Sequence, residues 1–487
     1  MAVSMTRKVA FNTSIQAVGK ITTTLISLVI IGYLTRYLGI SGYGQYTIAF
    51  AFVAFFSTLA DFGFFWVVMR EMTTGRPQNE VVKVVSNVFT LRTCMALGIY
   101  LLAFLTSFVF PYPLMVKFSI GIAATNMLWL TLNQTLVGVF QANLRVDKAV
   151  LTDIIGRLVI MASVLYLIHI KAGLIAILAG YSLGSFINLI VSFTLSRQFV
   201  KIRPAFDLKI WKSIFTAAWP MGVLIVLGMI YFKMDSVILS VFKSSDDVGI
   251  YGAPFKILEI LVALPSMFMG AAFPVLSNYA AKGDERFPSA FQKSFDFMVI
   301  TSLPLVVAGV LLAKKIMNFV VGSNFAAASK ISFLGQTITT SSTLQILLFA
   351  VGISFISSLF GYLIIAMGKQ RYLIWPNVVC VVFNIGLNLF LIPHYSYLAA
   401  AIVSVATQIL ITTLSAKVAL SLIKISPQIK ILGKVIVASA VMGIFLYFFS
   451  SLNLFILLLA AVIIYFTTLY LIRGISKELI ISIAKGA

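Results

Sequence analysis

From Val9 to Ile472 the chain alternates long apolar stretches with short polar intervals carrying Lys, Arg, Gly or Pro. A bilayer core about 30 Å thick takes roughly 20 apolar helical residues per crossing. The stretches recur at about that length, so the pattern predicts an all-α polytopic membrane protein of about fourteen transmembrane helices. They fall near 9–38, 44–69, 84–110, 114–140, 148–170, 172–195, 212–242, 249–277, 294–313, 333–367, 371–392, 395–424, 431–450 and 452–472. The fifth has the weakest apolar character, because Asp153 and Arg157 leave only 158–170 free of charge.

Composition agrees with a lipid environment. Of 487 residues, 61% are hydrophobic and 10% charged, against about 25% charged in soluble domains. The start carries Arg7 and Lys8 as a signal peptide would, but the apolar run continues to Tyr37, which predicts an uncleaved first helix. Cys94 and Cys380 fall in different segments, which provides neither a disulfide framework nor a metal-ligand cluster.

The net charge of +22 would suggest nucleic acid if it formed one patch. It does not. With both termini in the cytoplasm, 26 of the 36 Lys and Arg fall in segments on that side and seven on the other, the bias expected of a membrane protein with an even number of crossings. Arg92 and Arg157 are counted among the cytoplasmic ones. Nucleic acid is not an expected partner; the bilayer is.

The chain also repeats itself. Gly42-Tyr43-Gly44-Gln45-Tyr46 between segments 1 and 2 is echoed by Asp247-Val248-Gly249-Ile250-Tyr251 between segments 7 and 8. An offset of six helices gives both copies the same orientation, hence parallel repeats about an axis along the membrane normal. The expected division is a first six-helix lobe at 1–203, a second at 204–426 and two additional helices in 427–487.

Ionisable groups inside a membrane segment cost about 2.5–3.5 kcal/mol each on insertion scales and call for a cavity, a partner or a function. Six stand out: Lys20, Asp61, Lys233, Asp235, Lys256 and Glu259. Asn12, Gln16, Lys20, Thr24 and Ser27 share one face of the first helix, although Lys20 could equally snorkel to the headgroups. Asp61 lies at a similar depth and could pair with Lys20. Lys256 and Glu259 are i,i+3 neighbours able to meet Lys233 or Asp235 across the hairpin, as a structural network or as a substrate or proton site. Uncharged polar positions, including Asn126, Asn133, Asn377, Asn384, Asn388 and the run 336–343, supply either interhelical hydrogen bonds or the lining of a hydrated cavity.

Enzyme signatures are weak. There is no phosphate-loop motif. Gly180-Tyr181-Ser182-Leu183-Gly184 fits a hydrolase pattern but lies inside an apolar helix, away from His169 and His394. Gly180 and Gly184 read better as a close helix contact. No enzymatic activity and no cofactor are expected.

Asn12-x-x-x-Gln16-x-x-Gly19-Lys20, Leu34-Thr35-Arg36-Tyr37-Leu38-Gly39, Gly42-Tyr43-Gly44-x-Tyr46 and Leu59-Ala60-Asp61-Phe62-Gly63 closely resemble the start of polysaccharide-biosynthesis flippases, the Wzx-type O-antigen transporters. Asp235 with Val248-Gly249-x-Tyr251-x-x-x-x-Lys256 resembles the signature of their second half. The resemblance implies the multidrug/oligosaccharidyl-lipid/polysaccharide exporter fold, two six-helix lobes around a central cavity, in the inner (plasma) membrane of a prokaryote. It implies a polyprenyl-pyrophosphate-linked oligosaccharide as substrate, with other glycan-assembly proteins as candidate partners. Lys20, Lys233 and Lys256 are the expected substrate cations, with Arg36, Gln16, Asn133 and Asn384 as further contacts and Arg92 a less favoured one. Asp61, Asp235 and Glu259 are candidates for coupling to H⁺ or Na⁺ or for a charge network. A cation-coupled multidrug extruder of the same fold and a non-transporting scaffold for glycan assembly stay open as alternatives.

Overall fold

The computed structural model describes residues 2–73 and 77–474, without the side chains of residues 2–14, 17, 73, 220 and 271. Among them, twelve helices are long and apolar enough to cross a membrane. Two of these, Val18–Met72 and Gln370–Ile423, have 55 and 54 residues, about 80 Å of helix each and far too long for one crossing. Both are broken midway, so each supplies two crossings, which brings the total to the fourteen expected.

The helices are α1 (Ala2–Asp61), α2 (Phe64–Thr73), α3 (Gln78–Ser107), α4 (Leu114–Ala142), α5 (Val146–His169), α6 (Leu174–Ser196), α7 (Leu208–Phe242), α8 (Ser245–Lys282) and α9 (Phe287–Val321). A short α10 (Ser323–Ala326), strands β1 (Ser329–Phe333) and β2 (Gln336–Thr339), α11 (Thr340–Ala366), α12 (Ile374–Ile423), α13 (Lys430–Phe448) and α14 (Leu454–Leu471) follow. The chain forms two compact units, Met1–Gly249 and Ile250–Ala487.

In the first unit, α1 folds back at Gly39, whose φ of 65° and ψ of −171° suit only a residue without Cβ. The returning half ends at Asp61, and Phe62 and Gly63, both at positive φ, separate it from α2. Where α2, α3, α4 and α7 come together, Phe64, Val68, Val85, Val88, Val139 and Ile214 form a hydrophobic cluster. The segment between α6 and α7 is strapped across α3. The backbone N–H groups of Arg203, Ala205 and Asp207 donate to the side chains of Ser86, Thr90 and Asn87. Lys83 sits 3.0 Å from Asp207, which also caps α7. The Lys83 ammonium, then the Ile210 N–H, hold the Asp207 carboxyl below its usual range.

The two repeat glycines meet in this unit. A Cβ on Gly44 would lie 1.7 Å from the Ser245 carbonyl oxygen, and one on Gly249 would lie 2.3 Å from that of Ile40. The contacts are reciprocal: each glycine faces the carbonyl four residues before the other. Gly180 and Gly184 likewise press α6 onto α5, where a Cβ on Gly184 would meet Ile160 and the Gly156 carbonyl.

In the second unit, α12 breaks at Ser396 (φ 46°, ψ −130°), one residue inside the predicted segment 395–424. The segment expected as helix from residue 333 instead begins with an antiparallel hairpin in which Ser329 pairs with Thr339 and Phe333 with Gln336. The run of β-branched and hydroxyl residues explains this: it favours strand, and Thr339 and Ser342 then form a reciprocal cap that starts α11. Tyr397 ties the hairpin to α12, accepting from the Lys330 N–H and donating to the Ile338 carbonyl. α13 packs on α9, and the Tyr465 hydroxyl of α14 donates to the Ile300 carbonyl of α9 at 2.7 Å.

Candidate functional site

Gln16 and Lys20 are exposed on α1, and Lys20 makes no ion pair among the described residues. Asn12, on the same predicted face, lies outside the described side chains. Asp61 does not take Lys20 as its partner. It pairs with Arg92 of α3, whose side chain is 0% exposed while that of Asp61 is 33% exposed. Arg92 also donates to Thr135 Oγ1 at 3.1 Å, and its Nε has no hydrogen-bond partner among the described residues.

This corrects the expected position of Arg92 at a helix end. α3 begins at Gln78, so Arg92 lies fourteen residues in, about 21 Å from the start of the helix. A fully buried guanidinium must be paired, and the carboxylate at the end of the returning half of α1 does this. The Asp61–Arg92 pair therefore ties the helix break at Phe62–Gly63 to α3 and α4. Arg157, counted with the cytoplasmic charges although inside the predicted segment 148–170, likewise lies in the middle of a helix, α5.

Arg36, three residues before the break at Gly39, is exposed and donates to the Gly32 carbonyl at 2.8 Å. On α7, Lys233 is half-buried with its ammonium 5.9 Å from the Phe232 ring centre, and Asp235 is buried and accepts from the Ser236 N–H. In the second unit Lys256 and Glu259 form the expected i,i+3 pair at 2.7 Å, with side-chain exposures of 45% and 18%. Lys256 thus presents its charge outward while Glu259 anchors it.

The amides divide into two kinds. Asn384 is fully buried; its Nδ2 donates to Thr407 Oγ1 and its Oδ1 accepts from Asn388, so its hydrogen bonds knit the two halves of α12. Asn126 similarly donates to the Tyr181 carbonyl and Ser185. Asn133 differs: it is buried and its Oδ1 has no partner among the described residues. The groups brought together within one unit are therefore Asp61 with Arg92, and Lys256 with Glu259. Arg92 was the residue that sequence reasoning placed wrongly; its signal was a lone cation in an apolar run opposite an acid on a neighbouring helix.

A family profile described as polysaccharide biosynthesis protein matches residues 9–280, more than half of the sequence. The chain belongs to that family. A second profile, MatE, matches residues 220–390. A family relative, the putative O-antigen transporter of Shigella flexneri, is 25% identical over 78% of this chain and 90% of its own length. The probable low-salt glycan biosynthesis flippase of Haloferax volcanii is 24% identical over 66% of this chain and 65% of its own. Among solved structures, the lipid II flippase MurJ in its inward closed conformation covers 93% of this chain and 97% of its own, with a TM-score of 0.74 at 16% identity. That likeness establishes the fold, which is the exporter fold implied by the motifs.

Proposed function

We propose that this chain is a flippase that moves a polyprenyl-pyrophosphate-linked oligosaccharide from the cytoplasmic to the outer leaflet by alternating access, for surface polysaccharide assembly. The observation that carries the reading is the family match, together with an O-antigen transporter that aligns along 78% of the chain. The chain sits in a prokaryotic inner membrane with both termini in the cytoplasm, and other glycan-assembly proteins are candidate partners. It acts as a transporter rather than an enzyme, without a cofactor, and draws on H⁺ or Na⁺ for direction.

Lys20, Lys233 and Lys256 are the proposed contacts for the pyrophosphate, with Arg36, Gln16, Asn133 and Asn384 as further polar contacts. A lysine ammonium is a compact charge that holds phosphate without bidentate geometry, which suits a headgroup that must be released on the far side. Asp235 and Glu259 are the better proposed coupling acids, since Asp61 is committed to Arg92. The lobes at 1–203 and 204–426 remain the proposed repeats, with 427–487 added. The reciprocal contact of Gly44 and Gly249 supports this, because equivalent residues touch each other only at the axis relating their copies.

Lys256→Gln, Glu259→Gln and the double variant provide the test. The proposal expects normal membrane abundance with lost flipping in Lys256→Gln, unrescued by the second change. Restoration of both abundance and flipping in the double variant would make the pair structural instead. The MatE match at 220–390 favours a second reading, a cation-coupled drug extruder; drug sensitivity on deletion with normal surface glycan would select it.

A further inference from the structure

Arg157 lies in the middle of α5, about 16 Å from its start at Val146 and about 18 Å from its end at His169, with Asp153 one turn nearer the start. Charges at that depth are retained for a reason. The direction in which they point follows from their neighbours on the same helix. Val150 packs onto Gly19 of α1, while Gly156 and Ile160 press on Asn188 and Gly184 of α6. At 3.6 residues per turn, Asp153 and Arg157 fall between those two contacts. The exposed Leu151 and Leu158 mark the lipid-facing side, roughly 100° or more away around the helix. The charged pair thus points away from lipid, yet Arg157 is 37% and Asp153 47% exposed. Such exposure at membrane depth on the inward side of a helix is that of a hydrated space.

The guanidinium is also incompletely used. Its Nε approaches Asp153 Oδ1 at 3.8 Å, an ion pair but too long for a hydrogen bond. Its terminal nitrogens make no hydrogen bond among the described residues. Two tyrosines lie within its electrostatic reach, Tyr46 of the returning half of α1 and Tyr181 of α6, whose ring centres are 5.6 Å apart. Arg92 offers a contrast: it is sealed and tied to Asp61, whereas Arg157 has a loose counter-ion and open donors.

We propose that Arg157, held in place by Asp153 and flanked by Tyr46 and Tyr181, is an oxyanion-binding element of the first unit that receives the diphosphate of the transported lipid. The inference rests on the flippase reading and adds a bidentate donor to its lysine contacts. A planar guanidinium matches two phosphate oxygens at once, and Asp153 competes for it, which keeps the bound state from becoming too stable to release.

The test is binding of geranylgeranyl diphosphate to the full chain in phosphatidylcholine nanodiscs, with thermal unfolding of the same preparations. Arg157→Gln is expected to weaken binding tenfold or more, Arg157→Lys to retain part of it, and Asp153→Asn to strengthen it severalfold. A purely structural pair would instead give lower thermal stability in both partners' variants and no gain in binding for Asp153→Asn, and would overturn the proposal. If Arg157→Gln does not fold, Arg157→Lys and Asp153→Asn still decide. Binding to the unmodified chain that Lys20→Gln weakens and Arg157 variants leave unchanged would overturn this inference and spare the flippase reading; no binding at all would remove both. Added phosphatidylglycerol should not displace the diphosphate. If it does, and Arg157→Gln abolishes that displacement, the site serves a bilayer lipid and the proposal fails.

Discussion

Removing either partner of the Asp61–Arg92 pair should destabilise the first unit, but unequally. Losing one member of a buried ion pair costs about 3–5 kcal/mol, because the survivor is left charged and unpaired. Arg92 is fully buried, already has an unpaired Nε, and cannot reach water; Asp61 is one-third exposed and can. Asp61→Asn therefore belongs near about 5 kcal/mol and Arg92→Met near about 3 kcal/mol. At roughly 2–4 °C per kcal/mol for a body of about 250 residues, these correspond to losses of about 10–20 °C and 6–12 °C. The double variant removes both charges and should recover much of the loss, with a coupling of about 2 kcal/mol or more between the two positions. Thermal unfolding of detergent-purified protein, followed by size-exclusion chromatography, measures all three. Additive losses in the double variant, or Arg92→Met costing more than Asp61→Asn, would refute the argument from unequal burial. A comparable loss in Lys20→Met would show that Lys20 shares the carboxylate.

Other outcomes follow from backbone contacts and from the strap. Gly44→Ala and Gly249→Ala place a Cβ against backbone carbonyls that cannot swing aside, so both should sharply reduce folded protein, whereas Gly98→Ala, with nothing within 4 Å, should not; chromatographic yield of a fluorescent fusion separates them. Gly39→Ala meets no neighbour but forces alanine into a glycine conformation, so its loss should be only about 1–3 kcal/mol, read as a shift in unfolding temperature. Because the folded Asp207 carboxyl titrates below its unfolded value of about 3.9, its grip on Lys83 and on the α7 N-terminus is complete above that pH and is lost as the pH falls through the folded value. Proteolysis at 197–212 should accelerate there, and should become independent of pH in Asp207→Asn.

The helices were legible because each crossing must be apolar along its length, and the breaks at Gly39 and Ser396 fall within a few residues of where the predicted segments meet. The hairpin at 329–339 was not read as strand: residues from 333 were joined to the apolar helix that follows, although their β-branched and hydroxyl side chains favour strand, and the pairing that fixes them is not contained in a window of sequence. Lys256 with Glu259 could be read directly, since both lie on one helix face. Asp61 with Arg92 could not, since which of two cations an acid meets depends on how α3 packs against α1. Arg92 and Arg157 fell inside the predicted segments but were counted with the cytoplasmic charges, because a cation in the first turns of a segment looks the same whether it reaches the headgroups or a partner inside the bundle. The contacts with α1, α4 and α6 remove that ambiguity.

The central claim is transport of a lipid-linked glycan, and reconstitution tests it most directly. Purified protein in liposomes carrying a fluorescently labelled polyprenyl-diphosphate oligosaccharide on one leaflet should move the label to the other leaflet, under an H⁺ or Na⁺ gradient, far faster than protein-free liposomes. Lys256→Gln at equal protein density should abolish that movement. Liposomes in which the labelled glycan stays where it was placed, while a cationic drug is expelled under the same gradient, would contradict the account.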